Sequence, residues 1–186
     1  FDHEIIDSTH IFVALNGQAT QGRWRTINLG DNGPQRVFGT NAAACMIAVS
    51  FIRQQPFKHF FDESYFMYLE DVDVAVRALM MGWDSYYVDG ATAYHMGSAS
   101  SGKNPGFSLR MTYRNNLVML YKNFPTKFLL GRLHKIILSD YRTIKHLLKN
   151  GERKGASKLI QGRAVGILRV PLYWKAHKQM QQVTSI

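Results

Sequence analysis

YFMYLEDVDVAVRALMMGW, Tyr65 to Trp83, sets three carboxylates into four positions where an aromatic-rich segment gives way to a helical pattern. Glu70, Asp71 and Asp73 open a run in which Val72, Val74, Ala75, Val76, Ala78, Leu79 and Met80 predict a largely buried helix closed by Gly82. A carboxylate at such a junction sits at the positive end of the helix dipole, is expected to stay ionised, and can face a cleft at the end of a strand. That station suits a general base. It equally suits a helix cap, because Asp and Glu are common in first turns, and the cluster alone does not choose between the two.

The flanking sequence supplies context. Upstream lie VFGTNAAACMIAV (37–49) and FFDESYFMYLED (60–71); downstream come GWDSYYVDGATAYHMGSASSG (82–102) and YRNNLVMLYKNFP (113–125). In this order Phe61, Asp62, Glu63, Phe66, Tyr68, Glu70, Asp71, Val72, Asp73, Arg77, Gly82, Trp83, Ala91, His95, Arg114 and Asn115 form a pattern that resembles family 2 glycosyltransferases, in particular their bacterial rhamnosyltransferase-like branch. The resemblance covers about half of the chain and rests on the order of many positions, not on EDVD alone.

The resemblance implies an α/β chain: the acceptor-side half of a GT-A (Rossmann-like) domain over residues 1–124, followed by a basic α-helical extension over 125–186. It implies an inverting transfer of a sugar from a nucleotide-diphosphate donor to a hydroxyl of a glycan or lipid-linked glycan, in cell-surface polysaccharide synthesis. Asp71 is then the expected base, Glu70 and Asp73 orient acceptor and helix, and Arg77 pairs with one of them or contacts substrate. A divalent cation, Mg or Mn, is expected, with His95 as one ligand and the others on an Asp-x-Asp motif in a nucleotide-binding half preceding Phe1. Asp71-Val72-Asp73 has that form but lies inside the later motif, so it is not read as the metal site. The chain is accordingly expected to be the C-terminal portion of a longer enzyme and inactive alone.

Composition is compatible with a domain and a tail. The 186 residues are 46% hydrophobic and 12% aromatic, enough for a core. The single cysteine, Cys45, excludes a disulfide framework and a cysteine metal site, and its apolar surroundings predict a reduced core residue. No signal peptide is visible, and the longest uncharged apolar stretch, 41–52, is too short to span a bilayer.

The net charge of +10 is unevenly placed: residues 1–102 carry 6 Lys and Arg against 11 Asp and Glu, and residues 103–186 carry 17 against 2. Such a tail is expected to meet an anionic surface.

Coarse patterning alternates strands with short helices. Residues 1–20 predict a strand or hairpin turning at Gly17, QGRWRTINLGDNGPQR a long loop, and 37–49 a buried strand whose Ala42, Ala43 and Ala44 allow close packing or close approach of a ligand. Residues 83–88 alternate like a strand, and 107–123 predict a helix stopped before Pro125. His95 ends the second strand region; a lone histidine there is either a hydrogen-bonded structural residue or a ligand, and no His-x-x-x-His spacing helps to decide. Ser98, Ser100, Ser101, Gly102 and Lys103 offer hydroxyl, amide and ammonium donors that can cradle phosphate, although a lid or linker has the same composition. Arg114 carries a planar fork suited to diphosphate oxygens, or to an ion pair with a core acid.

In the tail, Leu130, Leu133, Ile137, Ile144, Leu147 and Leu148 trace one helical face and Arg132, Lys135, Arg142, Lys145 and Lys149 another, with a break near Asn150-Gly151. A second segment carries Leu159, Ile160, Ile167 and Leu168 ahead of Tyr173 and Trp174. Basic amphipathic helices of this kind suit an anionic bilayer, which predicts a cytoplasmic enzyme held peripherally at the inner face of the cell membrane; alternatively the apolar faces pack on the domain. A non-catalytic membrane-docking module fits the tail if the acids are caps. A nucleic-acid-binding module fits the charge, but the aromatics lie in the acidic half and not among the cations, so no nucleic-acid partner is expected. No Gly-x-Gly-x-x-Gly, Walker loop or nucleophile elbow is present, against dehydrogenase, NTPase and serine hydrolase classes.

Overall fold

A computed structural model describes residues 5–23, 25–27, 33–57, 59–95 and 104–183. The strands are short and pair only antiparallel: β1 (Ile5–Ile6) with β4 (Thr26–Ile27), β2 (His10–Val13) with β3 (Ala19–Gly22), and β5 (Gln35–Val37) with β6 (Ser85–Tyr87). The β2–β3 hairpin turns at Gly17, whose φ of 80° favours glycine. Helices dominate the rest: α1 (Val49–Gln54), α2 (Glu70–Met80), α3 (Pro105–Asn123), α4 (Thr126–Lys149), α5 (Arg153–Arg169) and α6 (Trp174–Val183), with single 3₁₀ turns at Glu63–Tyr65 and Val170–Tyr173.

One expected strand is absent. After Val37 only Gly39 makes a bridge, to Ile11, and residues 41–48 run as an exposed turn and extended loop. The Asn41 side chain accepts a hydrogen bond from the Ala43 amide at 3.0 Å, a local turn that diverts the chain from a ladder, and no neighbouring strand competes for it. Cys45 is therefore exposed, not a core residue, and Met46 is 99% exposed.

The core forms where α2 enters between the β2–β3 hairpin and α3. Val72 to Ala78 is buried throughout, so α2 has no solvent face until Leu79. Val72, Ala75 and Val76 pack with Ile11, Tyr65, Val118, Met119 and Leu120, while Val74 and Ala78 pack with Phe51 on the other side. α3 begins at an Asn104 cap, whose side chain accepts from the Phe107 amide at 3.1 Å, and stops ahead of Pro125.

The segment after Pro125 belongs to this same core. α4 and α5 break at Asn150–Gly151 as the sequence indicates, but Ile136 of α4 and Tyr173 join the main cluster, and α5 lies along the length of α3. Arg163 pins three helices, donating to Asp140 of α4 at 2.7 and 2.9 Å and to the Tyr113 carbonyl and Asn116 of α3. The α3–α5 approach depends on Gly162, where an added Cβ would stand 2.4 Å from the Arg110 carbonyl oxygen. Gly162→Ala must push two backbones apart, and we expect it to cost about 1–3 kcal/mol, read as a lower Tm by calorimetry; an unchanged Tm would mean that the helices do not meet there.

Candidate active site

The start of α2 is reached through a strained loop. Phe66, Tyr68 and Leu69 hold φ of 61°, 72° and 68°, a region that non-glycine residues rarely occupy and that costs of order 1–3 kcal/mol each. Such strain persists only where the surroundings dictate it, and here α3 does so. The Asn115 amide nitrogen, buried, donates towards the carbonyls of Tyr65 (3.1 Å), Met67 (2.8 Å) and Tyr68 (2.8 Å). Arg114 Nη2 donates to Tyr65 O at 2.6 Å and Ser64 O at 3.3 Å, and the Tyr68 and Ser108 hydroxyls meet at 2.6 Å.

The three carboxylates separate once the helix begins. Asp73 points into the core, fully buried, and accepts from Tyr65 Oη (3.1 Å), Arg77 Nε (3.0 Å), Lys122 Nζ (2.8 Å) and Asn123 Nδ2 (2.7 Å). With every lone pair used it cannot face an acceptor, so the orienting role expected for it gives way to a scaffold role. Arg77 is buried too, its donors spent on Asp73, Gln55 and the Phe60 carbonyl, which leaves it a structural pair instead of a substrate contact. Lys122 also reaches Asp62 at 3.0 Å. Although burial pushes the Asp62 carboxyl up, Lys122 and the Ser64 bonds outweigh it and hold the group below its ordinary value.

Glu70 and Asp71 remain on the outer side of the turn. Asp71 Oδ1 accepts from the Val72 amide at 2.7 Å, and the Ala42 amide of the 41–48 loop also hydrogen-bonds it. Burial still raises the Asp71 carboxyl above its ordinary value, over the opposing pull of the Val72, Ala42 and Asp71 amides. The expectation that a carboxylate at this helix start stays ionised is met by an opposing effect: desolvation disfavours the charged form and exceeds the hydrogen bonds that favour it. Glu70 is raised as well, by burial and by the Asp71 charge against the pull of its own amide, and its buried Oε2 has no partner among the described residues. Neither carboxylate has a cationic partner among the described residues.

A groove of about 680 Å³ is walled by the 40–48 loop, Val74 and Ala78 of α2, β6, and residues 91–95. Glu70 and Asp71 do not line it; Asp71 meets the same loop through the Ala42 amide. The groove walls are mainly apolar. At its rim His95 Nδ1 meets Asp7 Oδ2 at 2.9 Å, both side chains about half exposed. A carboxylate on Nδ1 leaves Nε2 to accept, an arrangement common to metal-ligating and to structural histidines. Among the described residues no group of three or more His, Cys, Asp or Glu could hold a metal ion. Arg114 is placed behind the strained loop, its Nη2 on backbone carbonyls, with no ion pair to a core acid. Ser98, Ser101 and Lys103 lie outside the described residues.

Sequence reasoning missed the clamp and the buried network. Asn115, Asn116, Lys122 and Asn123 are all buried on α3, and the seven-residue steps 115→122 and 116→123 put polar residues on one helical face amid apolar ones. That periodicity was the available signal.

The carboxyl directions carry a pH consequence. A group whose folded pKa is raised favours the protonated fold, so its contribution to stability is complete below the unfolded pKa and lost as pH rises through the folded one. If Asp71 must be ionised to act, turnover should fall on acidification through a value above the ordinary aspartate range. A pH–rate profile checks this; an acid limb at or below the ordinary range would contradict it.

No family model and no solved structure matches the chain. Over 137 residues, 69% of the chain, it is 28% identical to N-acetylglucosaminyl-diphospho-decaprenol L-rhamnosyltransferases of Mycobacterium tuberculosis, strains CDC 1551 / Oshkosh and ATCC 25618 / H37Rv. The match covers 42% of those proteins, so the chain spans less than half the length of the curated relatives it matches. This partial similarity supports a glycosyltransferase-like relationship.

Proposed function

We propose that this chain is the acceptor-side part of an inverting family 2, GT-A type glycosyltransferase that moves a sugar of the deoxyhexose class from a nucleotide-diphosphate donor to a hydroxyl of a lipid-linked glycan. The observation that carries the reading is the Glu70–Asp71 pair: two carboxylates without cationic partners among the described residues, raised by burial, held at a clamped and strained helix start, with Asp71 bonded to the loop that also walls the groove. Strain and perturbed carboxyls gather where chemistry is done. The relationship to proteins whose name specifies rhamnosyl transfer to a diphospho-decaprenol acceptor supports the substrate class.

In this reading Asp71 accepts the proton of the acceptor hydroxyl as its oxygen bonds to the anomeric carbon from the face opposite the diphosphate. The bond to the diphosphate breaks with its electron pair, and the configuration inverts. Glu70 orients the acceptor. A divalent cation, Mg or Mn, held in part by His95, supplies neutralisation of charge on the departing diphosphate when bound. The direct test incubates the intact protein with labelled nucleotide-diphosphate deoxyhexose and an isoprenyl-diphospho-sugar. Label in the lipid phase supports transfer; label released only to water, or none moved, counts against it.

We further propose peripheral attachment to the anionic inner face of the cell membrane. No helix among the described residues is long and apolar enough to cross a bilayer. On α4, however, the inward side is Leu129, Ile136 and Thr143, while Leu130, Leu133, Ile137, Tyr141 and Leu148 stay exposed beside Lys127, His134, Lys145 and Lys149. An apolar stripe edged by cations suits an anionic interface. The intact protein should float with vesicles containing phosphatidylglycerol and not with phosphatidylcholine alone, and Leu133→Glu/Ile137→Glu should abolish flotation. Undiminished flotation of that variant would remove α4 from the contact.

A further inference from the structure

The close, parallel approach of α3 and α5 has an electrostatic result. Gly162 faces the Arg110 carbonyl and Gly166 the Arg114 carbonyl, where an added Cβ would stand 3.0 Å away, so equal four-residue steps keep the helices in register. That register brings Arg114 of α3 to Arg169 at the end of α5, and Arg110 stands one turn before Arg114, close enough for its charge to act on it. Two of the guanidinium groups converge on one acceptor: Arg114 Nη2 donates to Ser64 O at 3.3 Å, and Arg169 Nη1 to the same oxygen at 3.4 Å.

One carbonyl cannot neutralise two cations. None of the three arginines has a carboxylate within ion-pair distance among the described residues. Asp62 is already taken by Lys122 and Asp73 by Lys122 and Arg77, while Glu63, next to Ser64, is exposed and makes no ion pair with these arginines among the described residues. Burial first, then the charges of Arg169 and Arg110, draw the Arg114 guanidinium below its ordinary value, against the pull of Tyr173 and Tyr65. Like charges gathered without a counter-ion are unfavourable in the free protein, and arginine forks match phosphate oxygens in geometry.

We propose that Arg110, Arg114 and Arg169 form a site for a diphosphate and, resting on the transferase reading above, that its occupant is the diphosphate of the lipid-linked acceptor. Two features favour this source over the nucleotide donor. The neighbouring surface is apolar and uncovered: Phe66 is 75% exposed and stacks edge-on with Phe107, one turn before Arg110, while Leu168 and Leu172, flanking Arg169, are 76% and 75% exposed. A lipid tail or its bilayer covers such residues, and a nucleoside does not. The cluster is also tied to the carboxylates, since Arg114 holds the Tyr65 carbonyl and Asn115 the Tyr68 carbonyl, two residues before Glu70. An acceptor whose sugar is attached directly to its diphosphate needs anion site and base close together, and the 65–69 loop links the helices that carry them.

The test compares the intact protein with Arg110→Gln/Arg169→Gln, keeping Arg114 because its bonds hold the loop. The probes are vesicles of phosphatidylcholine with an isoprenyl diphosphate, vesicles of phosphatidylcholine with phosphatidylglycerol, and a free nucleoside diphosphate. Binding to the isoprenyl diphosphate vesicles should weaken about tenfold or more, since charge-assisted bonds are lost, with the other two probes unchanged. Unchanged binding to those vesicles overturns the proposal. An equal loss for the nucleoside diphosphate assigns the cluster to the donor, and an equal loss on phosphatidylglycerol reduces it to general membrane attraction; either overturns the acceptor site. If the double variant does not fold, Arg110→Glu at its exposed position must show the same ranking. Arginine-dependent binding without any sugar transfer would sink the transferase reading and leave the anion site. Transfer with an unaltered acceptor KM in the double variant would do the reverse.

Discussion

Asp71→Asn is expected to lower turnover by about 10² to 10⁴ while the protein folds normally, because the amide keeps an oxygen for the Val72 and Ala42 N–H groups but cannot take a proton. Stability at neutral pH should not fall by more than about 1 kcal/mol, the scale of a lost cap, since burial disfavours the ionised carboxyl that the substitution removes. Donor binding should be nearly unchanged. Glu70→Gln, which removes a carboxylate with one unpartnered oxygen, should lower turnover less steeply. A folded Asp71→Asn protein with more than about a tenth of wild-type turnover would return Asp71 to a capping role.

Asp73→Ala should fail in the opposite way. Asp73 joins Tyr65, Arg77, Lys122 and Asn123, and without it Arg77 has no carboxylate partner in a fully buried site. Removing one member of a buried charge pair costs about 3–5 kcal/mol because it strands the other charge. For a chain of this size that is a fall of roughly 6–20 °C in Tm. Activity would be lost with the fold and not ahead of it. An Asp73→Ala protein with wild-type Tm and no activity would move Asp73 from scaffold to chemistry.

The contrast between neighbours in one short motif shows where sequence reading reaches its limit. α2, α3 and the break at Asn150–Gly151 were legible because helical periodicity and Gly or Pro punctuation are local signals. The direction of Asp73 was not: a helix buried from Val72 to Ala78 can bury an acid only if donors arrive from elsewhere, and Lys122 and Asn123 come from about fifty residues away. The left-handed turns at Phe66, Tyr68 and Leu69 carry no glycine to announce them, since Asn115 and Arg114 enforce them through space.

The stretch 37–49 misled for a related reason. A short apolar run is compatible with a buried strand or with a loop over a groove, and only a neighbouring strand decides. None pairs with 41–48 among the described residues. The change in charge falls after residue 102, ahead of the split at 124, and the tail packs on the first part because Gly162 and Gly166 let α5 lie against α3. Those glycines were visible in the sequence; their partner helix was not.

In the proposed reaction Asp71 acts on the face opposite the leaving diphosphate, as single displacement by the acceptor oxygen requires. The anomeric configuration of the product, read by NMR from the one-bond carbon–proton coupling at the transferred sugar, tests that claim most directly. Single displacement requires the configuration opposite to that of the donor; a product that retains the donor configuration would contradict the account.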